Sequence, residues 1–225
     1  MRFDIITAVP DLLHGPLTAS IVGRAVKNNI ADIVVHNLRD YGMGNYRQID
    51  DTPYGGYAGM VLRPEPLGQC IDKLMAERKY DEVIFFSPDG EQMNQSHMNN
   101  YSLVTNILII CGHYKGIDQR IRDLYVTREF SLGDFVISGG ELAAAVFVDG
   151  IVRILPKAIG NEESALSDSF QDGLLAPPLY TRPAVYKDLA VPEILTTGNH
   201  AKINEWLMEQ SISRTDKLRP DLSKE

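Results

Sequence analysis

A chain of 225 residues with 44% hydrophobic content is long enough for one sizeable domain plus a smaller one, and it can build a real core. Its net charge of -8 argues against a broad basic surface for nucleic acid, and from Gly173 onward seven Lys or Arg balance seven Asp or Glu. No apolar run approaches the length of a bilayer span, and MRFDIITAVPDLL carries an acid inside its apolar stretch, unlike a secretory signal, so a cytoplasmic protein without a membrane partner is expected.

In chain order, a strand is predicted over residues 3–7, a helix over 19–28 and a strand over 33–37. The connection 39–60, RDYGMGNYRQIDDTPYGGYAGM, is longer than ordinary loops and holds five glycines, four tyrosines and two arginines. Such a mixture suits stacking on splayed single-stranded RNA bases, and equally a Gly-rich surface loop whose tyrosines pack locally. Its Gly42-Met-Gly44 start lacks the third glycine of a dinucleotide fingerprint, which leaves a nicotinamide-dependent oxidoreductase a weak third reading.

Further on, helical patterns at 67–78, 95–103 and 117–124 alternate with strands at 83–86, 107–111 and 126–130. The strand runs are rich in Val, Ile and Phe and only weakly alternating, so they are expected to be buried on both faces. Alternating β and α elements predict an α/β fold with a mostly parallel sheet and helices on both faces. Cys70 and Cys111 are expected to be buried free thiols, and the five histidines show no metal-ligand spacing, so no metal is assigned.

Residues 131–142, SLGDFVISGGEL, place three glycines and two acids where a strand gives way to a helix running to about residue 155. Glycine there lets a backbone approach a flat ligand closely, and a junction needing small residues for packing looks the same. After it, PKAIGNEESALSDSFQDG is acidic and polar, as a linker would be. A proline-rich extended stretch follows, and a last helix is predicted from His200, with Asn199 as its N-cap and Ile203, Trp206 and Leu207 at helical spacing.

Seven segments, DDTPYGGYAGM, FFSPDG, CGHYKGID, SLGDFVISGGEL, ALSDSF, YTRP and RPDL, jointly resemble the bacterial tRNA (guanine-N1)-methyltransferases, in that family's order and over nearly the whole chain. The resemblance implies the SPOUT class, an α/β domain (1–160) with a deep trefoil knot that binds S-adenosyl-L-methionine, a linker (161–172) and a small helical tRNA-binding domain (173–225). It also implies a homodimer, with the tRNA anticodon stem-loop rather than DNA as partner. Carried onto this chain, the donor site is Ser87, Pro88, Gly112, Tyr114, Leu132, Gly133, Asp134, Phe135, Val136, Ile137, Gly139 and Gly140.

The chemistry is arguable on its own terms. Guanine N1 carries a proton at neutral pH, so attack on a sulfonium methyl group needs a base. The family's base stands at Asp168, and Arg153 stands where an arginine would stabilise charge growing on guanine O6. Read without the family, Asp168 would be a solvated linker acid and Arg153 a helix-end residue. Lys115, Ser164 and Tyr54 are assigned to the substrate, with Arg182, Arg214 and Arg219 as phosphate contacts.

This chain departs from the family's pattern at several positions. His113, Lys115 and Gln119 stand where many members carry Arg, Glu and Glu. That glutamate is associated with a magnesium ion, and an ammonium cannot ligate a hard cation, which puts magnesium in question here. Lys157 and Tyr57 stand at usual glycines, and Leu207 at a usual arginine. Alternatives carried forward are a SPOUT methyltransferase with another RNA target and a tRNA-binding module that no longer transfers methyl groups.

Overall fold

The Val-, Ile- and Phe-rich runs form one parallel sheet in the computed structural model of the chain, which describes residues 1–160 and 168–222. The chain falls into two compact units, Met1–Glu162 and Glu163–Glu225. The first begins with β1 (Arg2–Thr7), α1 (Asp11–Thr18), α2 (Ser20–Lys27) and β2 (Asp32–Asn37). Two short strands, β3 (Asp50–Asp51) and β4 (Val61–Leu62), pair antiparallel at the end of the tyrosine-rich connection. Then come α3 (Pro64–Glu77), β5 (Glu82–Gln92), α4 (Gln95–Tyr101), β6 (Asn106–Ile110), α5 (Gln119–Tyr125), β7 (Arg128–Ser131) and α6 (Glu141–Val152).

Strand order is β2-β1-β6-β5-β7, and every pair is parallel. Alternate side chains leave opposite faces of a strand, so the sheet divides its core in two. Phe3, Ile5, Ile84, Ile107 and Ile109 pack on one face with Phe147, Val148 and Ile151 of α6. Ile6, Val83, Phe85, Leu108 and Ile110 pack on the other with Leu67 and Ile71 of α3 and Ile121 of α5. Each such side chain contributes roughly 1.5–3 kcal/mol by leaving water. The α/β architecture with helices on both faces is therefore as the alternation predicts.

Two expectations need correcting. Burial on both faces holds for the central strands β1 and β6, whereas β2 is exposed or half-buried at every position, because it lies at the sheet's edge. The helix α1 was not foreseen, since Gly15 and Pro16 inside it oppose helix formation. Burial of Leu13 and Leu17 outweighs that local cost.

In the second unit, β8 (Val185–Tyr186) and β9 (Leu189–Ala190) make a hairpin, followed by α7 (His200–Leu218). Asn199 caps α7 as predicted, its side chain accepting from Lys202 N at 3.3 Å. Ile203, Trp206 and Leu207 are half-buried. The buried Thr215 hydroxyl accepts from Leu175 N at 2.9 Å, tying the extended stretch to α7. Among the described residues no helix is long and apolar enough to cross a membrane.

Candidate functional site

Because β5, β6 and β7 run parallel, the segments that leave their C-terminal ends open onto one edge of the sheet, where ligands of open α/β sheets bind. There they enclose a cavity of about 410 Å3. Each wall has a local cause. The register of β5 against β7 shifts between Phe86 and Glu91, which throws Ser87, Pro88 and Asp89 out toward the cavity. Gly90 permits this, since a Cβ there would lie 2.5 Å from Phe130 N. Past β6 the chain turns through Tyr114 at φ +60° and Gly116 at φ +117°, with Gly116 N donating to His113 O at 3.0 Å.

The third wall is the glycine segment between β7 and α6. Gly140 N donates to Gly112 O at 2.8 Å, and Gly139 pairs with His113. A Cβ on Gly140 would sit 3.0 Å from Cys111 Cα, and one on Gly139 would lie 2.6 Å from His113 Nδ1 and clash with Glu141 Oε2. These two glycines are thus required by the close approach of one loop to the other. Close packing of the two loops and backbone facing the cavity thus occur at the same place.

Of the residues expected to hold the donor, all line this cavity except Gly133 and Asp134. Leu132, Phe135, Val136 and Ile137 give it an apolar side, with Val136 84% exposed at the lip. Lys115 also lines it. The amide of Lys115 donates to Met60 O at 3.0 Å, and its stem passes so near Gly59 that a Cβ there would meet it at 2.9 Å. The tyrosine-rich connection therefore ends at the rim. Tyr54 is 98% exposed, and Tyr46 and Tyr57 project likewise, so they do not pack locally.

A polar wall went unnoticed in the sequence. Arg122 holds Glu129 with both ends of its fork, at 2.9 and 2.6 Å, and reaches Asp89 at 2.9 Å. Ser87 Oγ donates to Glu129 at 2.9 Å, and the guanidinium lies over the Phe85 ring. Its hydrogen bond with Glu129 raises the Arg122 pKa above the ordinary arginine value. Only FFSPDG hinted at this cluster, because Arg122 and Glu129 sit in no recognisable motif.

The remaining assigned residues lie elsewhere. Arg153 is half-buried as the C-cap of α6, in the first unit, and Asp168 is half-buried in the second. Ser164 lies outside the described residues. Arg182 and Arg214 are exposed, whereas Arg219 is paired with Asp221 at 2.6 Å and lies over Phe170. Among the described residues, no group of three or more His, Cys, Asp or Glu is placed to hold a metal ion.

Comparison with known proteins gives a consistent result. A sequence model of the family described as "tRNA (Guanine-1)-methyltransferase TrmD" matches residues 1–225. The chain is 58% identical over 222 residues to a protein of Christiangramia forsetii named tRNA (guanine-N(1)-)-methyltransferase, covering 99% of this chain and 98% of that one. A protein of the same name from Bacteroides thetaiotaomicron is 58% identical over 222 residues, 99% of each chain. Another, from Porphyromonas gingivalis, is 52% identical over 225 residues, the whole of both.

Proposed function

The chain belongs to the tRNA (guanine-1)-methyltransferase family, and on that premise we propose that it transfers a methyl group from S-adenosyl-L-methionine to N1 of the guanosine at tRNA position 37, next to the anticodon. The observation that carries this reading is the cavity at the C-terminal sheet edge, in a chain that matches the family from end to end. Its volume of about 410 Å3 falls in the range of small-molecule sites.

The residues present fit the donor. Backbone of 112–114 and 137–140 supplies N–H and C=O groups, Leu132, Phe135 and Ile137 supply apolar contact, and the Ser87–Glu129–Arg122 cluster supplies a polar wall. When bound, the donor offers a methyl group activated by a sulfonium. Asp168 takes the N1 proton of guanine, freeing the lone pair, and Arg153 stabilises the negative charge that develops on O6. The exposed tyrosines of 39–60, with Lys115, Arg182, Arg214 and Arg219, hold the anticodon stem-loop.

The rest of the family's organisation belongs to the same proposal. It comprises a knotted SPOUT domain over 1–160, a linker over 161–172 carrying Asp168, a tRNA-binding domain over 173–225, a homodimer and a cytoplasmic location.

The test separates binding from chemistry. Asp168→Asn is expected to bind S-adenosylmethionine like the parent by calorimetry while turnover on a tRNA transcript falls about 100- to 10,000-fold. Near-normal turnover sinks the base assignment. Equal methylation of a transcript lacking guanosine at position 37 sinks the target.

A further inference from the structure

Outside the residues already assigned, the most anomalous group among the described residues is buried and polar. Glu141, the first residue of α6, has no exposed surface. Its Oε1 accepts a hydrogen bond from Thr7 Oγ1 at 2.6 Å. Thr7 Oγ1 itself accepts from Val9 N at 2.9 Å. The second oxygen, Oε2, is buried with no hydrogen-bond partner among the described residues, and so is Nδ1 of His113. These two orphans lie 3.8 Å apart, about 1 Å longer than a typical hydrogen bond.

Orphaned buried polar atoms are uncommon, and two that face each other call for a common explanation. A Cβ on Gly139 would clash with Glu141 Oε2 and lie 2.6 Å from His113 Nδ1, so the glycine's missing side chain is what lets the two approach. His113 lines the cavity, as do Tyr114, Gly139 and Gly140, whereas Glu141 lies behind them. His113 also packs edge-on against the Tyr114 ring, 5.0 Å between centroids, at the turn where Tyr114 adopts a left-handed conformation. Glu141 is anchored at its other end by Thr7, the last residue of β1 in the sheet's interior.

We propose that Glu141 is a positioning residue for the donor cavity, acting through His113. When the cavity is filled, His113 Nδ1 and Glu141 Oε2 close onto one shared proton and hold the 112–114 turn against Gly139 and Gly140. Either assignment, Nδ1–H donating to Oε2 or Oε2–H donating to Nδ1, joins the pair by one hydrogen bond. A chain of contacts from β1 through Thr7 and Glu141 thereby sets one wall of the site. This rests on the reading of the cavity as the S-adenosylmethionine site.

The test is calorimetry with S-adenosylmethionine on the full chain, with steady-state kinetics on a tRNA transcript beside it. Glu141→Met keeps the side-chain length and removes both oxygens; His113→Phe keeps a ring and removes Nδ1. Each is expected to weaken donor binding about tenfold or more and to raise the donor KM while kcat stays within about threefold. Because the pair acts as a unit, the double variant is expected to bind no more weakly than the weaker single. His113→Arg, whose guanidinium can reach the carboxyl group, is expected to stay within about threefold of the parent.

Single variants that bind within twofold of the parent, or losses that multiply in the double variant, overturn the proposal. A merely structural role would lower the melting temperature and leave the affinity of the folded protein alone. If Glu141→Met does not fold, His113→Phe and Thr7→Val decide by the same affinity criterion. A parent chain that binds no S-adenosylmethionine overturns the reading of the cavity itself, and this proposal with it.

Discussion

Asp4 shows how a single residue departs from its composition class. It sits inside β1 with no exposed surface, a carboxyl group in the middle of an apolar strand. Burial pushes its pKa up, but hydrogen bonds from His36, Arg2 and Tyr80 outweigh that and hold it well below the usual carboxylate range. Arg2 grips both oxygens, at 2.9 and 2.8 Å, and His36 Nε2 lies 2.7 Å away. A carboxyl whose folded pKa is depressed stabilises the fold above its unfolded value of about 4, and that contribution is lost as pH falls toward the folded value. The parent is therefore expected to lose stability from about pH 5 downward. Asp4→Asn is expected to be less stable at pH 7 by about 2–3 kcal/mol, since Arg2 keeps only Asp32 as an ionic partner and the buried charge pair is broken, and to show a shallower acid limb. Urea unfolding at pH 7, 5 and 3 checks this, and equal acid limbs in the two proteins would refute it. The two thiols behave as their sequence context suggests: both are free and buried, and burial pushes Cys70 up to about 11 and Cys111 well above its ordinary value.

At the scale of elements, the connection 39–60 is the least ordinary piece. It is held at intervals, by the Met43–Gln48 bridge and by β3 against β4, and between these anchors it projects Tyr46, Tyr54 and Tyr57 into solvent. Exposed rings cost free energy in water unless something covers them, and nucleic-acid bases stack on such rings. Tyr54→Ala and Tyr57→Ala are each expected to weaken tRNA binding by about 1–3 kcal/mol and to leave donor affinity unchanged. Gel-shift titration alongside donor calorimetry reads both, and an unchanged tRNA affinity removes the stacking role. Other elements differ in how far their sequence announced them. The cap at Asn199 and the spacing of Ile203, Trp206 and Leu207 made α7 legible, because both signals are local. The interior Gly15 and Pro16 hid α1, whose stability comes from burial of Leu13 and Leu17 and not from propensity.

For the whole molecule, the net charge of -8 bears directly on how tRNA is held. A protein that relies on a few placed arginines releases few counterions, so a plot of log K against log salt is expected to have a slope of about -2 to -4. A slope steeper than about -6 would require a broad basic surface, which the net charge of -8 argues against. The amino-acid order by itself determined the alternation of strands and helices, the core-forming runs, the C-terminal helix with its cap, and the seven segments that resemble one family. These are all local or linear properties, carried by periodicity, composition and motif order. Only the tertiary structure decided which segments meet. Strand order β2-β1-β6-β5-β7 brings 85–89, 112–117 and 130–140 to one sheet edge, and no periodicity encodes that order. It placed β2 at an edge, where its apolar residues are left partly in water. It also set Glu141 behind Gly139 and opposite His113, residues whose relation exists only because two loops from different strands approach closely.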